Sequence, residues 1–258
     1  MTQNEKYAVR LARTEADLIS AQRLRYRVFV EELGSDGPQV DHIQKLERDE
    51  FDAIFDHLVL VDCTVPQGLD HVIGVYRLLP SDRIGSDGRF YSENEFDLGP
   101  LRQSGRKLLE LGRSCVHPDH RGGTSMFHLW NGLSDYVLDR KIEVLFGAAS
   151  FFGTDIAALK TPLSYLHHMH LAPPALRVKA LGPTAVPLNH MPIETLDKKA
   201  ALKAIPPLIK GYLRLGGFVG EGAFVDHAFN TTDVCLVMDT ARMSNRHYDY
   251  YTRGRVQE

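Results

Sequence analysis

The residues of this chain best suited to chemistry concentrate between Glu110 and Thr124. Glu110 falls in a run whose apolar content (Leu108, Leu109, Leu111, Cys115, Val116) reads as a buried strand. A carboxylate inside such a strand is rare unless it is paired or working. Glu110 is therefore either a general base or amine ligand, or the partner of an arginine such as Arg77 or Arg25. Arg113 comes three residues later, on the opposite face of a straight strand, so a bulge is needed to bring the two together. Pro118 ends the ladder because it has no N–H to give. Arg121, Gly122, Gly123 and Thr124 then lead into Met126, Phe127, Trp130, Leu133, Val137 and Leu138 at helical spacing. A strand, a glycine loop, one arginine and a helix N-terminus together make an anion cradle, and phosphate is the first candidate. The sequence carries neither a P-loop nor a G-x-G-x-x-G fingerprint.

The rest of the chain has to position that stretch. At 258 residues, 43% apolar and 24% charged, it can bury a substantial core as an ordinary globular protein. A net charge of −3 gives no overall attraction to nucleic acid. Cys63, Cys115 and Cys235 are far apart and odd in number, which fits a reducing compartment better than a disulfide framework. The first residues lack a signal-peptide pattern, and the most apolar run, Val144 to Phe152, is too short to cross a bilayer. The expectation is a cytoplasmic protein, with peripheral contact on the inner face of the membrane left open.

In chain order, Tyr7 to Ala12 reads as a strand, and Thr14 with Asp17 as a capping-box start to a helix carrying Leu18, Ala21, Leu24, Val28 and Phe29. Between Glu31 and Asp56 stand nine carboxylates against Lys45 and Arg48, in what reads as a loop. Such a segment is either a solvated excursion or the wall of a cation site. Strands follow at His57 to Cys63, His71 to Leu79 and, after the phosphate loop and its helix, Val144 to Phe152. Asp155 can cap a helix bearing Tyr165. Leu171 to Pro192 reads as Pro-rich loop with one short strand. Asp197 to Leu215 is helical with a break at Pro206-Pro207, and Val234 to Met238 is a last buried strand. The pattern predicts one α/β domain over residues 1–258, with a mixed sheet, helices on both sides and a loop and helical insertion at about 171–215.

Several segments then resemble a known superfamily. The loop Arg121-Gly122-Gly123 is similar to the diphosphate or phosphopantetheine loop of the GNAT N-acetyltransferases, with its glycines adjacent instead of spaced. Arg25 with Val28-Phe29, the acidic loop with Asp49-Glu50-Phe51-Asp52, Gly74 with Arg77, and Glu110 with Arg113 resemble the acyl-homoserine-lactone (autoinducer) synthases. Further on, Lys210-Gly211-Tyr212-Leu213-Arg214-Leu215-Gly216, Gly220-Glu221-Gly222-Ala223 and Phe229-Asn230-Thr231 with Asp233 resemble the first-step enzymes of ornithine-lipid synthesis. The resemblance runs from about Arg23 to Asp239. It implies a GNAT-like fold and an amino-acid Nα-acyltransferase. The implied reaction moves a 3-hydroxyacyl chain from acyl carrier protein to an amino acid, most readily ornithine, in bacterial membrane-lipid synthesis.

The same resemblance implies roles. Glu110 and Arg113 stand at the reacting centre, and backbone N–H groups near Ser114 to Val116 hold the oxyanion. Arg121 and the amides of Gly122, Gly123 and Thr124 take the phosphate of the phosphopantetheine arm, the co-substrate; no permanently bound cofactor is implied. Tyr165 either protonates the leaving thiolate or belongs to the core. Arg25, Asp49, Glu50, Asp52 and Arg77 form the amino-acid site, whose carboxylates suit an acceptor with two amines. The basic stretch Lys198 to Arg214 docks an acidic carrier protein or anionic lipid headgroups, or is simply solvated. His117, His120, His167, His168 and His170 complete no known ligand spacing, so no metal is expected. Cys115 has no evident base and reads as a small hydrophobe. The alternatives are an autoinducer synthase, the same acylation with glutamine or glycine, and a fold that only binds carrier protein or lipid.

Overall fold

The computed structural model describes residues 6–38, 40–68, 70–84 and 88–242. The polar tail from Ser244 lies outside them. The strands are β1 (Tyr7–Leu11), β2 (Val40–Asp41), β3 (Leu46–Glu47), β4 (Asp56–Asp62), β5 (Val72–Pro80), β6 (Phe96–Asp97) and β7 (Leu108–Val116). They continue with β8 (Val144–Phe152), β9 (Lys179–Ala180), β10 (Ala185–Val186), β11 (Phe218–Val219), β12 (Ala223–Asp226) and β13 (Thr231–Asp239). The α-helices are α1 (Glu15–Arg25), α2 (Gly99–Gln103), α3 (Ser125–Arg140), α4 (Ile156–His170), α5 (Lys198–Ala204) and α6 (Pro207–Arg214).

Two compact units can be described. The first joins Met1–Leu79 to Leu111–Lys141. Its strands run in the order β1-β4-β5-β7, with β1–β4 and β4–β5 antiparallel. Helix α1 starts where the sequence indicates. The Thr14 side chain accepts from the Asp17 N–H, and Asp17 reaches back to the Thr14 N–H. Asp17 is also buried, and it accepts from Arg10 and His71. Ala21, Leu24 and Val28 then pack on Val59, Val61, Val72, Val75 and Cys115. Removing the Leu24 side chain from such a core costs about 2–5 kcal/mol. Gly132 lets α3 lie close on this sheet, because a Cβ there would collide with Val9 and press on Leu58 at 3.3 Å.

The segment expected to be an acidic loop is more ordered than that. Helix α1 passes directly into a π-helix, Tyr26–Glu32, and the chain then forms the β2–β3 hairpin and a 3-10 turn, Glu50–Ala53, capped by Asp49. Its order comes from ion pairs and from burial of Leu46, Phe51 and Phe55, neither of which shows as local periodicity.

The second unit joins Pro80–Glu110 to Ile142–Glu258. Its strand order is β7-β8-β13-β12-β10, β11 also pairing with β13. The β8 strand has the bounds read from its apolar run, and it pairs antiparallel with β13 along its whole length. The β7–β8 ladder is parallel and short, from Leu108↔Val144 to Glu110↔Phe146. Asp155 and Asp197 cap α4 and α5 as expected, and Pro206-Pro207 separates α5 from α6. Residues 171–215 hold two short strands, β9 and β10, besides these helices. No helix among the described residues is long and apolar enough to cross a membrane.

Candidate active site

Strand β7 is regular and buried up to Leu111 and then half-exposed at Gly112, Arg113 and Ser114. Arg113 has φ +50°, a left-handed conformation that a side-chain-bearing residue adopts at a cost on the order of 1 kcal/mol. The strand therefore carries a local irregularity at the position where the sequence needed a bulge.

Arg113 enters a buried ionic network within the first unit. Arg25, at the end of α1, binds Glu47 of β3 and reaches Asp52 at 2.6 Å. Arg77, on β5, bridges Asp49 at 2.6 Å and Asp52 at 2.7 Å. Arg113 meets Glu47 at 3.1 Å and Asp49 at 3.4 Å. Gln22 adds a hydrogen bond to Asp52, and the Arg77 guanidinium lies over the Phe55 ring. Arg25 and Arg77 are wholly buried. Three arginines against three carboxylates leave no formal net charge, the condition under which such groups tolerate burial. Burial would raise the Glu47 carboxyl, but Arg25 and Arg113 outweigh it and hold it at about 2. Asp52 is likewise held well below the usual range by Arg25 and Arg77 against the effect of burial.

This changes the part played by the acidic residues. Asp49 and Asp52, read from sequence as walls for a diamine, are committed to Arg25, Arg77 and Arg113. Glu50 stands exposed on the adjacent turn. Glu47, absent from the sequence-derived set, links two of the arginines. Its only signal in the sequence was its place among the nine carboxylates of this segment, two residues before Asp49.

Glu110 lies in the second unit, 1% exposed. One carboxylate oxygen accepts the Tyr91 N–H at 2.9 Å and the other the Ser92 N–H at 2.6 Å. These are the first N–H groups of a 3-10 turn, Tyr91–Asn94, where a carboxylate is favoured. Phe90 fixes the same turn by packing edge-on against Phe146, their centroids 4.9 Å apart. Nothing local in the sequence links Glu110 to Tyr91 and Ser92.

The loop after β7 leads through Arg121, Gly122 and Gly123 into α3. The His117 N–H anchors it to the Ile73 carbonyl, Gly122 takes φ +77°, and a Cβ at Gly122 or Gly123 would meet nothing within 4 Å. Thr124 gives α3 no side-chain cap, so the first-turn N–H groups keep their anion-binding capacity. Arg121 donates through Nε to the Val116 carbonyl and through both Nη atoms to Glu32, at 2.6 and 2.7 Å. That pair is exposed, 41% and 37%. Arg121 holds the Glu32 carboxyl below its ordinary value. A guanidinium fork of this kind pairs with a carboxylate or with a phosphate.

Tyr165 is buried on α4, its ring 5.6 Å from that of His170. His168 hydrogen-bonds the Met191 carbonyl. Burial pushes the Cys115 thiol up to about 12, which removes it as a nucleophile at neutral pH. Among the described residues, Glu95, Asp226 and Asp233 bring carboxylate oxygens within 4.8 Å of one another, a grouping common in proteins without any ion.

Residues 24–131 match the family model described as "Acetyltransferase (GNAT) domain". The chain is 61% identical over 251 residues to the L-ornithine N(alpha)-acyltransferase of Rhodobacter capsulatus, covering 96% of this chain and 95% of that one. It is 41% identical to the Brucella abortus protein of the same name, covering 94% and 88%. Among solved structures it resembles FeeM, an N-acyl amino acid synthase from uncultured soil microbes, at 10% identity and TM-score 0.46 over 94% of this chain and 97% of that one. At that level the likeness carries no functional weight. The mixed α/β fold with its large mixed sheet, the GNAT match and the near full-length identity together place the chain in the L-ornithine Nα-acyltransferase family of GNAT-like acyltransferases.

Proposed function

We propose that this protein transfers a 3-hydroxyacyl chain from acyl carrier protein to the α-amine of ornithine, giving a lyso-aminolipid for bacterial membranes. The observation that carries this reading is the 61% identity, over 96% of the chain, to a protein named L-ornithine N(alpha)-acyltransferase.

The chemistry assigns work to named groups. The donor is a thioester on a phosphopantetheine arm, whose phosphate binds Arg121 and the N–H groups of Gly122, Gly123 and Thr124 once Glu32 leaves the fork. The acceptor amine must lose a proton before it attacks, through a base or a water relay. Attack on the thioester carbonyl forms the C–N bond and places negative charge on its oxygen. Backbone N–H groups near Ser114 and Val116, beside the irregularity in β7, stabilise that charge. Collapse breaks the C–S bond, and the departing thiolate takes up the proton that the amine released through the base or water relay. In this reading Arg25, Asp49, Asp52 and Arg77 act through position, holding the Arg113 side chain in place. Glu110 does the same for residues 91 and 92, and Glu50 faces the second amine of the acceptor.

The test is mass spectrometry of lipid extracts from a bacterium that lacks aminolipids, with and without this gene. The reading expects a new lyso-lipid whose headgroup fragments are those of ornithine. A glutamine or glycine headgroup would correct the acceptor. No new lipid from folded, expressed protein contradicts the proposal.

A further inference from the structure

Ile193 to Leu215, in the second unit, is charged unlike the rest of the chain. It holds Lys198, Lys199, Lys203, Lys210 and Arg214 against Glu194 and Asp197, in a protein of net charge −3. Asp197 is occupied, since its carboxylate caps α5 by accepting from the N–H groups of Lys199 and Ala200. Among the described residues, none of the five basic side chains is in an ion pair.

Helix α5 sets them in ways that local helix physics disfavours. Lys198 and Lys199 stand in the first turn, where the dipole opposes cations. Lys199 and Lys203 are four residues apart, like charges stacked on one face, and the helix has no carboxylate of its own. A segment that breaks local charge rules without an internal partner fits an external anion.

The same surface exposes aliphatic side chains. Leu202, between Lys199 and Lys203 on the outer side of α5, is 42% exposed, and Ile193, in the turn just before the helix, is 38% exposed. The opposite side is buried through Ala201, and α5 packs on α4. Four of the five cations are lysines. A fixed array of protein carboxylates is best met by arginine forks, whereas a fluid layer of phosphates needs only point charges on flexible stems. Lysines around protruding aliphatic tips suit the headgroup boundary of a bilayer.

We propose that the face formed by Ile193, α5 and α6 binds an anionic lipid surface peripherally, with Leu202 and Ile193 entering the headgroup layer. This assignment does not depend on which amino acid is acylated.

The experiment is co-sedimentation of the full-length protein with phosphatidylcholine vesicles, with and without phosphatidylglycerol, at low and high salt. Binding is expected on the anionic vesicles alone, weakening as salt screens it. The Lys198→Glu, Lys199→Glu, Lys203→Glu triple variant should lose about tenfold or more in affinity. Leu202→Ser should lose about threefold to tenfold, with an unchanged melting temperature. Lys203→Glu alone, a change that removes no hydrogen bond, serves if the triple variant folds poorly and should lose about fivefold. Equal binding to neutral vesicles, or unchanged binding by the folded charge variants, overturns the proposal. So does a charge variant that binds vesicles normally but needs more acyl carrier protein for turnover, because the face would then dock that acidic partner.

Discussion

The first unit contains two arginine sites that use the same chemistry in opposite surroundings. Arg25, Arg77 and Arg113 meet Glu47, Asp49 and Asp52 in the interior, whereas Arg121 meets Glu32 at the surface. In the interior each charge depends on its neighbours for solvation, so the network can be broken only at great cost. At the surface water replaces either partner, the pair is worth about 0–1 kcal/mol, and the fork can change ligands. A buried network is therefore suited to hold geometry, and an exposed pair to bind and release a substrate.

The largest effect should come from breaking the interior. Arg77→Ala leaves Asp49 and Asp52 buried with one cation fewer and should cost about 3–5 kcal/mol, read by denaturant unfolding. Arg77→Lys keeps the charge but loses the fork, and should fall between that variant and the native chain. A native-like unfolding midpoint for Arg77→Ala would show that the network does not hold the unit together.

Acid sharpens the same contrast. Glu47 is held at about 2 against an ordinary 4.5, so its folded value lies below its unfolded one. Its contribution is then complete above about 4.5 and is lost as pH falls toward about 2, where the folded carboxyl takes a proton. Glu47→Gln should be less stable at neutral pH and lose less on acidification. Parallel pH profiles for the two proteins would remove Glu47 from the account.

A smaller, local effect is expected at Glu110. Glu110→Gln keeps one acceptor oxygen for two N–H donors and should cost about 1–2 kcal/mol. Faster amide hydrogen exchange at Tyr91 and Ser92 would report it. Unchanged protection there would mean that the carboxylate does not anchor the turn.

The parts of this structure legible in sequence were those written locally. Thr14, Asp155 and Asp197 marked helix starts by side chains that reach only two or three residues along the chain. The unbroken apolar run of β8 gave its bounds, and the loop at Arg121 to Thr124 showed itself by a proline, two glycines and a following helical period. Pairings across long stretches of chain were not legible. Glu32 and Arg121, or Glu110 and Ser92, meet because the strands bring them together, and no residue near either announces its partner. The acidic segment shows the consequence. Composition suggested a solvated excursion or a cation site, while the fold turned Glu47, Asp49 and Asp52 inward onto arginines from three other elements.

The exposed site supplies the most direct test of the central claim, that Arg121 is the donor-phosphate ligand while the interior network is scaffold. Steady-state kinetics of purified Arg121→Ala with 3-hydroxyacyl carrier protein and ornithine, alongside thermal unfolding, measure both halves at once. The KM for the acyl donor should rise about tenfold, as loss of one charge-assisted contact implies. The KM for ornithine should be unchanged and the melting temperature near native. A donor KM equal to that of the native enzyme, or a variant that fails by unfolding, would contradict that claim.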